Sequence, residues 1–484
     1  MKKSKKVIAA LGTMLAVTAL ASCGGGGPKR EPGVLSIMFY NGGYGDEWVT
    51  EIVKQYQDET GNIVEVVPDK TISAKAEMNL ASKKGSEYDI FISHDLNWQN
   101  FADRGLLANL DDLYESKTIE GDKFEDRVLP AAKEIAKYKS DKDSEEHYYK
   151  VCLTQGAGGF VYNEDLFKAK GWAVPTTYAE LAALCKTISE TTIDGTSEKY
   201  IPFSWAGGGE TRDYYWDYPM FEWWAEMDGI EAINAWKTFK GADGTYASGY
   251  DNFDPSGKYK NFKEAYKMWY DLVAMNTNYS NKDANGTQLT TAQDLFFSGK
   301  AAMIPYGQWA KYEIESAKRQ DFSFNVRMMK TPRVSASSDY YNFMVGFGDS
   351  MIVAKNSPNL DVAKDFLRYM ATKTACKTFV EKAQGPFLAF DYSNVDLSDI
   401  RANNSYIDSM YEILTTCKNF SIASNSPLVV ANGDLELQPW FKNTRYYKEA
   451  FVTPAENTPD IVFEKLYASA KDAWGRLCRN ADVR

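Results

Sequence analysis

Two histidines, His94 and His147, are the only imidazoles in 484 residues, and that scarcity restricts the chemistry open to the chain. A nucleophilic triad would have to draw on His94, because His147 lies in a charged stretch expected to be exposed. At a strand end, His94 reads better as a hydrogen-bonded residue. The sequence has no GxSxG elbow, HExxH zinc helix, GxxxxGKS/T phosphate loop or GxGxxG dinucleotide turn. Its 66 acidic residues leave room for a glycosidase-like carboxylate pair, although spacing does not say which two would face each other. A secreted glycan-active enzyme is the second reading on that ground. No catalytic residue is assigned.

Metal chemistry has two weak footholds. Asn281, Asp283, Asn285 and Gly286 occupy the first, third, fifth and sixth places of a calcium-loop pattern. The twelfth place, where a bidentate Glu is expected, is Ala292, so 281–292 reads as a polar turn. Paired tyrosines such as Tyr214-Tyr215 and Tyr446-Tyr447 could ligate iron, but packing and sugar contact are more economical. No metal and no cofactor are expected. The tryptophans are more informative. Trp205, Trp216, Trp223, Trp224 and Trp236 fall in one stretch, joined by Tyr218 and Phe221. An aromatic face suits the C–H face of a pyranose, while Asn, Asp, Gln and Arg suit its hydroxyls. Each ring alone is as well explained by a core. Trp205 and Trp216 are taken as candidates for a cleft.

Such residues need a scaffold. Val34 to Tyr40, Ile63 to Val67 and Asp89 to Ser93 read as buried strands, separated by helical stretches. Asp46 is placed to cap the first helix, Asn163 another, and Thr177 with Glu180 forms a capping box. Leu181, Leu184, Cys185 and Ile188 then share one helix face. Strand–helix alternation predicts an α/β protein.

The N-terminus reads as a targeting signal. Lys2, Lys3, Lys5 and Lys6 precede an uncharged run, Val7 to Ala21, too short to span a bilayer as a settled helix. Leu20-Ala21-Ser22-Cys23 and four glycines follow, the pattern of a bacterial lipobox. We expect a signal peptide over 1–22, lipidation at Cys23, and an anchor and linker over 23–33. The formal charge of −11 argues against nucleic acid and anionic lipid surfaces as partners. Beyond Cys23 the cysteines are scattered without a CxxC pair, so neither a zinc site nor a disulfide framework is expected.

Four segments resemble one family in order and spacing. They are DIFISHDLNWQNFADRGLLANLDDLY (89–114), GFVYNEDLFKAKGWAVPTTYAELAALC (159–185), FFSGKAAMIPYGQWAKYEIE (296–315) and GFGDSMIVAKNSPNLDVAKDFLRYMAT (346–372). Together they resemble the extracellular solute-binding proteins of carbohydrate ABC transporters, the maltose-binding-protein-like group. The resemblance implies a two-lobed periplasmic-binding-protein-like fold of type II, each lobe a mostly parallel sheet flanked by helices. Lobe one would take 34–151 and 346–420, and lobe two 156–340 and 421–484. It also implies a monomer without enzymatic activity, anchored outside the cytoplasm, that passes a carbohydrate ligand to membrane permease subunits.

The same resemblance suggests ligand-binding residues. Asn41 follows the first strand. Asp95, Asn97 and Trp98 follow the third. Gln155 sits at the first crossover between lobes. Gly307 and Trp309 match a Gly-x-Trp turn whose Trp often stacks on sugar, with Gln308 standing where many relatives carry a small residue. Trp440 and Arg445 lie near the C-terminal helices. The stretches 205–260 and 390–450 exceed many relatives, and which sugar is bound stays open.

Overall fold

The computed structural model describes residues 33–207, 215–316, 324–344, 349–432 and 456–483. Cys23, Trp440 and Arg445, together with the expected signal peptide, lie outside the described residues. Thirteen strands position the site, here numbered in chain order. β1 (Val34–Tyr40), β2 (Ile63–Asp69), β3 (Ile90–Ser93) and β4 (Val151–Cys152) begin the first sheet. β5 (Thr154–Gln155) follows at once, and β6 (Gly158–Asn163), β7 (Ile201–Phe203), β8 (Ala301–Gly307) and β9 (Val326–Met329) build the second. β10 (Tyr341–Phe343) precedes β11 (Ser350–Val353), which rejoins the first sheet. β12 (Phe387–Leu388) pairs with β5, and β13 (Lys418–Phe420) with β10.

The first sheet has the order β2-β1-β3-β11-β4 and the second β9-β6-β8-β7. Both are mixed rather than mostly parallel. β1 is parallel to β2 and β3, but β11 runs antiparallel to β3 and β4. In the second sheet β6 is antiparallel to both β8 and β9, and only β8–β7 is parallel. The physical reason is the crossing itself: β11 enters the first sheet from the opposite end, as the chain returns from the second. Each sheet with its helices is one lobe of a two-lobed α/β fold. Pro32–Arg484 form one compact unit, so both sheets and the seam between them belong to one body.

Local chemistry explains the helices flanking these strands. α1 (Glu47–Thr60) buries Trp48, Val49, Ile52, Val53 and Tyr56 on one stripe and stops at Gly61, whose φ of 76° ends it in the left-handed region. Asp46 precedes α1 without capping it; its carboxylate instead accepts from Asn41 Nδ2 at 3.4 Å. α2 (Trp98–Asp103) follows β3. α3 (Glu164–Lys170) is capped by Asn163, which accepts from the Leu166 N–H. α4 (Tyr178–Glu190) carries the expected capping box of Thr177 and Glu180, and Leu181, Leu184, Cys185 and Ile188 are its buried face. α5 (Asp217–Asp228), α6 (Asn261–Trp269) and α7 (Ala310–Ser316) belong to the second half. α8 (Lys373–Ala383) packs on α1. α9 (Ser405–Thr416) packs on β9, with the Met328 N–H donating to Ser409 Oγ and Arg327 to Asp408. α10 (Pro459–Asn480) buries Trp474 and Leu477.

Candidate functional site

Strand ends and helix starts of both lobes meet along one seam. β8 ends at Gly307, and Gln308 and Trp309 turn the chain into α7. A Cβ on Gly307 would lie 2.5 Å from the Trp309 ring, so glycine there lets the indole fold back over its own strand. The ring is half-buried. Its Nε1 donates to Tyr215 Oη at 3.2 Å, and Tyr44 of the first lobe meets it edge-on at 6.3 Å. Tyr215 holds φ at 77°, uncommon for a side chain of its size. That backbone brings its ring within 4.6 Å of Tyr306 and 5.5 Å of Trp309. Strained conformations persist where surrounding contacts hold them, and they gather at functional sites.

Tyr44, in the loop between β1 and α1, is tied to the base of the seam. Its hydroxyl donates to Asp349 Oδ2 at 2.8 Å, and Thr154 Oγ1 donates to the same oxygen at 3.0 Å. Gln308 Nε2 reaches across from the second lobe to Tyr44 Oη at 3.1 Å. Burial pushes the Tyr44 phenol well above its usual range, which keeps it a donor. Burial also raises Asp349, opposed by the nearby His94 and by the Tyr44 and Thr154 hydrogen bonds.

On the first lobe, polar residues gather beyond the ends of β1 and β3. Tyr40 is 36% exposed and its ring meets the exposed His94 at 4.5 Å. Asp95 is exposed, with Oδ1 accepting from Ser93. Asn97 is exposed and heads α2 without capping it. Asn41 is half-buried beside Asp46. Asn41, Asp95 and Asn97 therefore share the strand-end rim of the first sheet, where ligands of open α/β sheets bind. Gly307 and Trp309 stand on the second lobe's side of the seam.

The structure places the other candidates inside the fold. Trp98 is 4% exposed, packed on Tyr138 with the Lys150 ammonium over its ring. Gln155 is buried, and its amide donates to the Leu388 and Phe390 carbonyls, joining β5 to the β12 segment. Trp205 packs edge-on against Trp269, and Trp216 against Tyr266; each is 1% exposed. The tryptophan-rich stretch is thus largely second-lobe core. Asn281 spends its amide on the Trp205 N–H and on Thr287. Among the described residues no group of His, Cys, Asp and Glu could hold a metal ion. His147 is half-buried rather than exposed, held by Asp111 at 2.6 Å. Tyr215 was read from sequence only as one of the paired tyrosines, and Tyr44, Thr154 and Asp349 were not singled out; for Tyr44 the glycine-flanked aromatic in GGYG was the one available signal.

Residues 42–375, which include Asp95 and Asn97 of the rim, the first crossing, the Gly307–Trp309 turn and Asp349, match the model of the family described as bacterial extracellular solute-binding protein. The chain belongs to the bacterial extracellular solute-binding proteins. Members of this family bind solutes and are not enzymes, so the glycan-enzyme reading falls away. The chain is similar to the diacetylchitobiose binding protein NgcE of Streptomyces coelicolor, at 24% identity over 281 residues, 58% of this chain and 53% of NgcE. The match thus spans about half the length of that relative. Among solved structures, RafE of Streptococcus pneumoniae superposes with a TM-score of 0.64 at 17% identity, covering 92% of this chain and 99% of RafE. The GacH receptor of Streptomyces glaucescens gives 0.62 at 19%, covering 93% and 99%. These likenesses are of fold: this solute-binding protein shares the two-lobed scaffold of type II periplasmic binding proteins. Among its described residues, no helix is long and apolar enough to cross a membrane.

Proposed function

We propose that this solute-binding protein is a lipid-anchored receptor that captures a sugar or oligosaccharide between its lobes and delivers it to the permease subunits of an ABC transporter. The observation that carries the reading is the Trp309 ring, held at the seam between the strand-end rim of one lobe and the start of α7 on the other. A ring so placed covers one face of a pyranose, while Asn41, Asp95 and Asn97 offer donors and acceptors to its hydroxyls. The N-terminus of the receptor is held by lipid on Cys23, outside the cytoplasm. The receptor works as a monomer. The proposed lobes take 34–151 with the chain from 346, and 156–340 with the C-terminal residues; the packing of α9 on β9 of the second sheet favours a third crossing before α9 rather than at 420.

The test is a tryptophan-fluorescence titration against N,N′-diacetylchitobiose, raffinose, galactose and maltooligosaccharides, with the recovered sugar analysed afterwards. Saturable binding of at least one, returned unchanged, is expected. No response from any sugar, alongside a response to a peptide mixture, would remove the carbohydrate assignment.

A further inference from the structure

Gln308 is the residue at which this chain departs from the small residue of the resembling Gly-x-Trp turns, and the structure shows where the extra atoms go. The side chain leaves the second lobe, is fully buried, and lies flat over Gly156 in the first crossing. A Cβ on Gly156 would occupy the position of the Gln308 amide. The amide Nε2 donates to Tyr44 Oη at 3.1 Å and reaches Thr154 Oγ1 at 3.5 Å. Tyr44 and Thr154 in turn both donate to Asp349, just before β11 in the return crossing. On its other side, the Gln308 carbonyl lies 2.5 Å from where a Cβ on Gly385 would stand. One residue of the second lobe thus touches the β1–α1 loop, the first crossing and the segment before β12.

We propose that Gln308 is a closure bolt: its amide, seated over Gly156 and bonded to the Tyr44–Asp349 pair, holds the two lobes together and sets the balance between open and closed receptor. The chain of donors is consistent in direction. Tyr44 gives its proton to Asp349, so its oxygen is free to accept from Gln308. The bolt is also reversible. Gln308 Oε1 is buried with no hydrogen-bond partner among the described residues. A buried acceptor without a partner penalises the closed form, and opening returns that oxygen to water. Donor bonds favouring closure and an orphan acceptor opposing it leave the equilibrium close to balance, where a ligand can shift it. Gln308 acts on capture through lobe position; it is a positioning residue.

The inference rests on the two-lobe reading of capture, and its test needs no sugar. Small-angle scattering and melting curves would be recorded on the wild type, Gln308→Ala, Gln308→Glu and Tyr44→Phe. Gln308→Glu keeps the volume but has no donor for Tyr44 and faces Asp349; Tyr44→Phe removes one hydroxyl. Gln308→Glu and Tyr44→Phe should expand the particle, each shifting the closed-to-open ratio about fivefold, the worth of one ordinary hydrogen bond; Gln308→Ala, which removes the donor and the orphan acceptor together, should expand it less. The double variant Gln308→Ala/Tyr44→Phe should be no more open than Tyr44→Phe alone. A folded Gln308→Glu or Tyr44→Phe protein with the wild-type scattering curve would overturn the proposal. If the variants open but no sugar binds the wild type, the bolt stands and the carbohydrate reading fails.

Discussion

Trp309 covers Gly43 so closely that a Cβ on that glycine would lie 2.8 Å from the indole Cγ. The two residues come from different lobes, and the contact exists only while the lobes meet. Gly43→Ala should therefore disturb closure more than folding. The added methyl has no space against Trp309 while the lobes meet, and separating the lobes removes that neighbour. Ligand affinity should fall by about tenfold or more, with the melting temperature of the ligand-free protein nearly unchanged. Calorimetric titration and thermal melting on one preparation check this.

Trp309 itself makes the sharper case. It is half-buried, shared between lobes and hydrogen-bonded to Tyr215, so it is neither core nor loose surface. Trp309→Ala should weaken sugar binding at least tenfold, about 1.4 kcal/mol. A large drop in melting temperature with normal affinity in the folded fraction would assign the ring to packing instead.

The contrast between Trp309 and the other tryptophans marks how far the sequence was legible. Capping signals at Asn163 and at Thr177 with Glu180 foretold helix starts, because each is a local bargain between one side chain and the next turn. The Gly-x-Trp turn was legible through the family resemblance alone; the glycine accounts for how closely the ring approaches its own strand. Trp205 and Trp216 were ambiguous, since core and sugar site ask for the same aromatic types, and only the chain around them decides which side faces solvent. Gln155 was assigned by position to the crossing, but the carbonyls of Leu388 and Phe390 that claim its amide lie more than 230 residues away. The Tyr44–Asp349 pair spans 305 residues and was invisible for the same reason. The two-residue strands β4, β5 and β12 carry too little pattern to be read.

The proposed lipid anchor makes an independent prediction. Cys23 ends the uncharged run and precedes four glycines. Cys23→Ala should remove covalent lipid, leaving either a released protein or an unprocessed precursor. Intact-mass measurement of the membrane fraction decides it, and lipid still attached to the variant would exclude this site.

Glu222 predicts a pH dependence. It lies on α5, wholly buried, with Oε1 accepting from the Phe343 N–H of β10 at 2.8 Å. Oε2 is buried beside the Thr331 hydroxyl. Burial raises the carboxyl from 4.5 to about 8, with the Thr331 and Phe343 groups pulling the other way. The folded protein therefore holds a proton here that the unfolded chain gives up. Below about pH 4.5 both states are protonated and the stabilisation is fully present; between there and about 8 it is lost as pH rises, by about 1.4 kcal/mol per unit; above 8 both are ionised and the slope vanishes. Glu222→Gln keeps the shape and the acceptor for Phe343 but cannot ionise. Its stability should stay level over the same range, so that the variant gains on the wild type as pH rises from 5 to 8. Urea unfolding of both proteins across that range measures the difference. Parallel curves would mean that Glu222 is ionised in the folded protein at neutral pH and that its buried oxygen is served by a group other than its own proton.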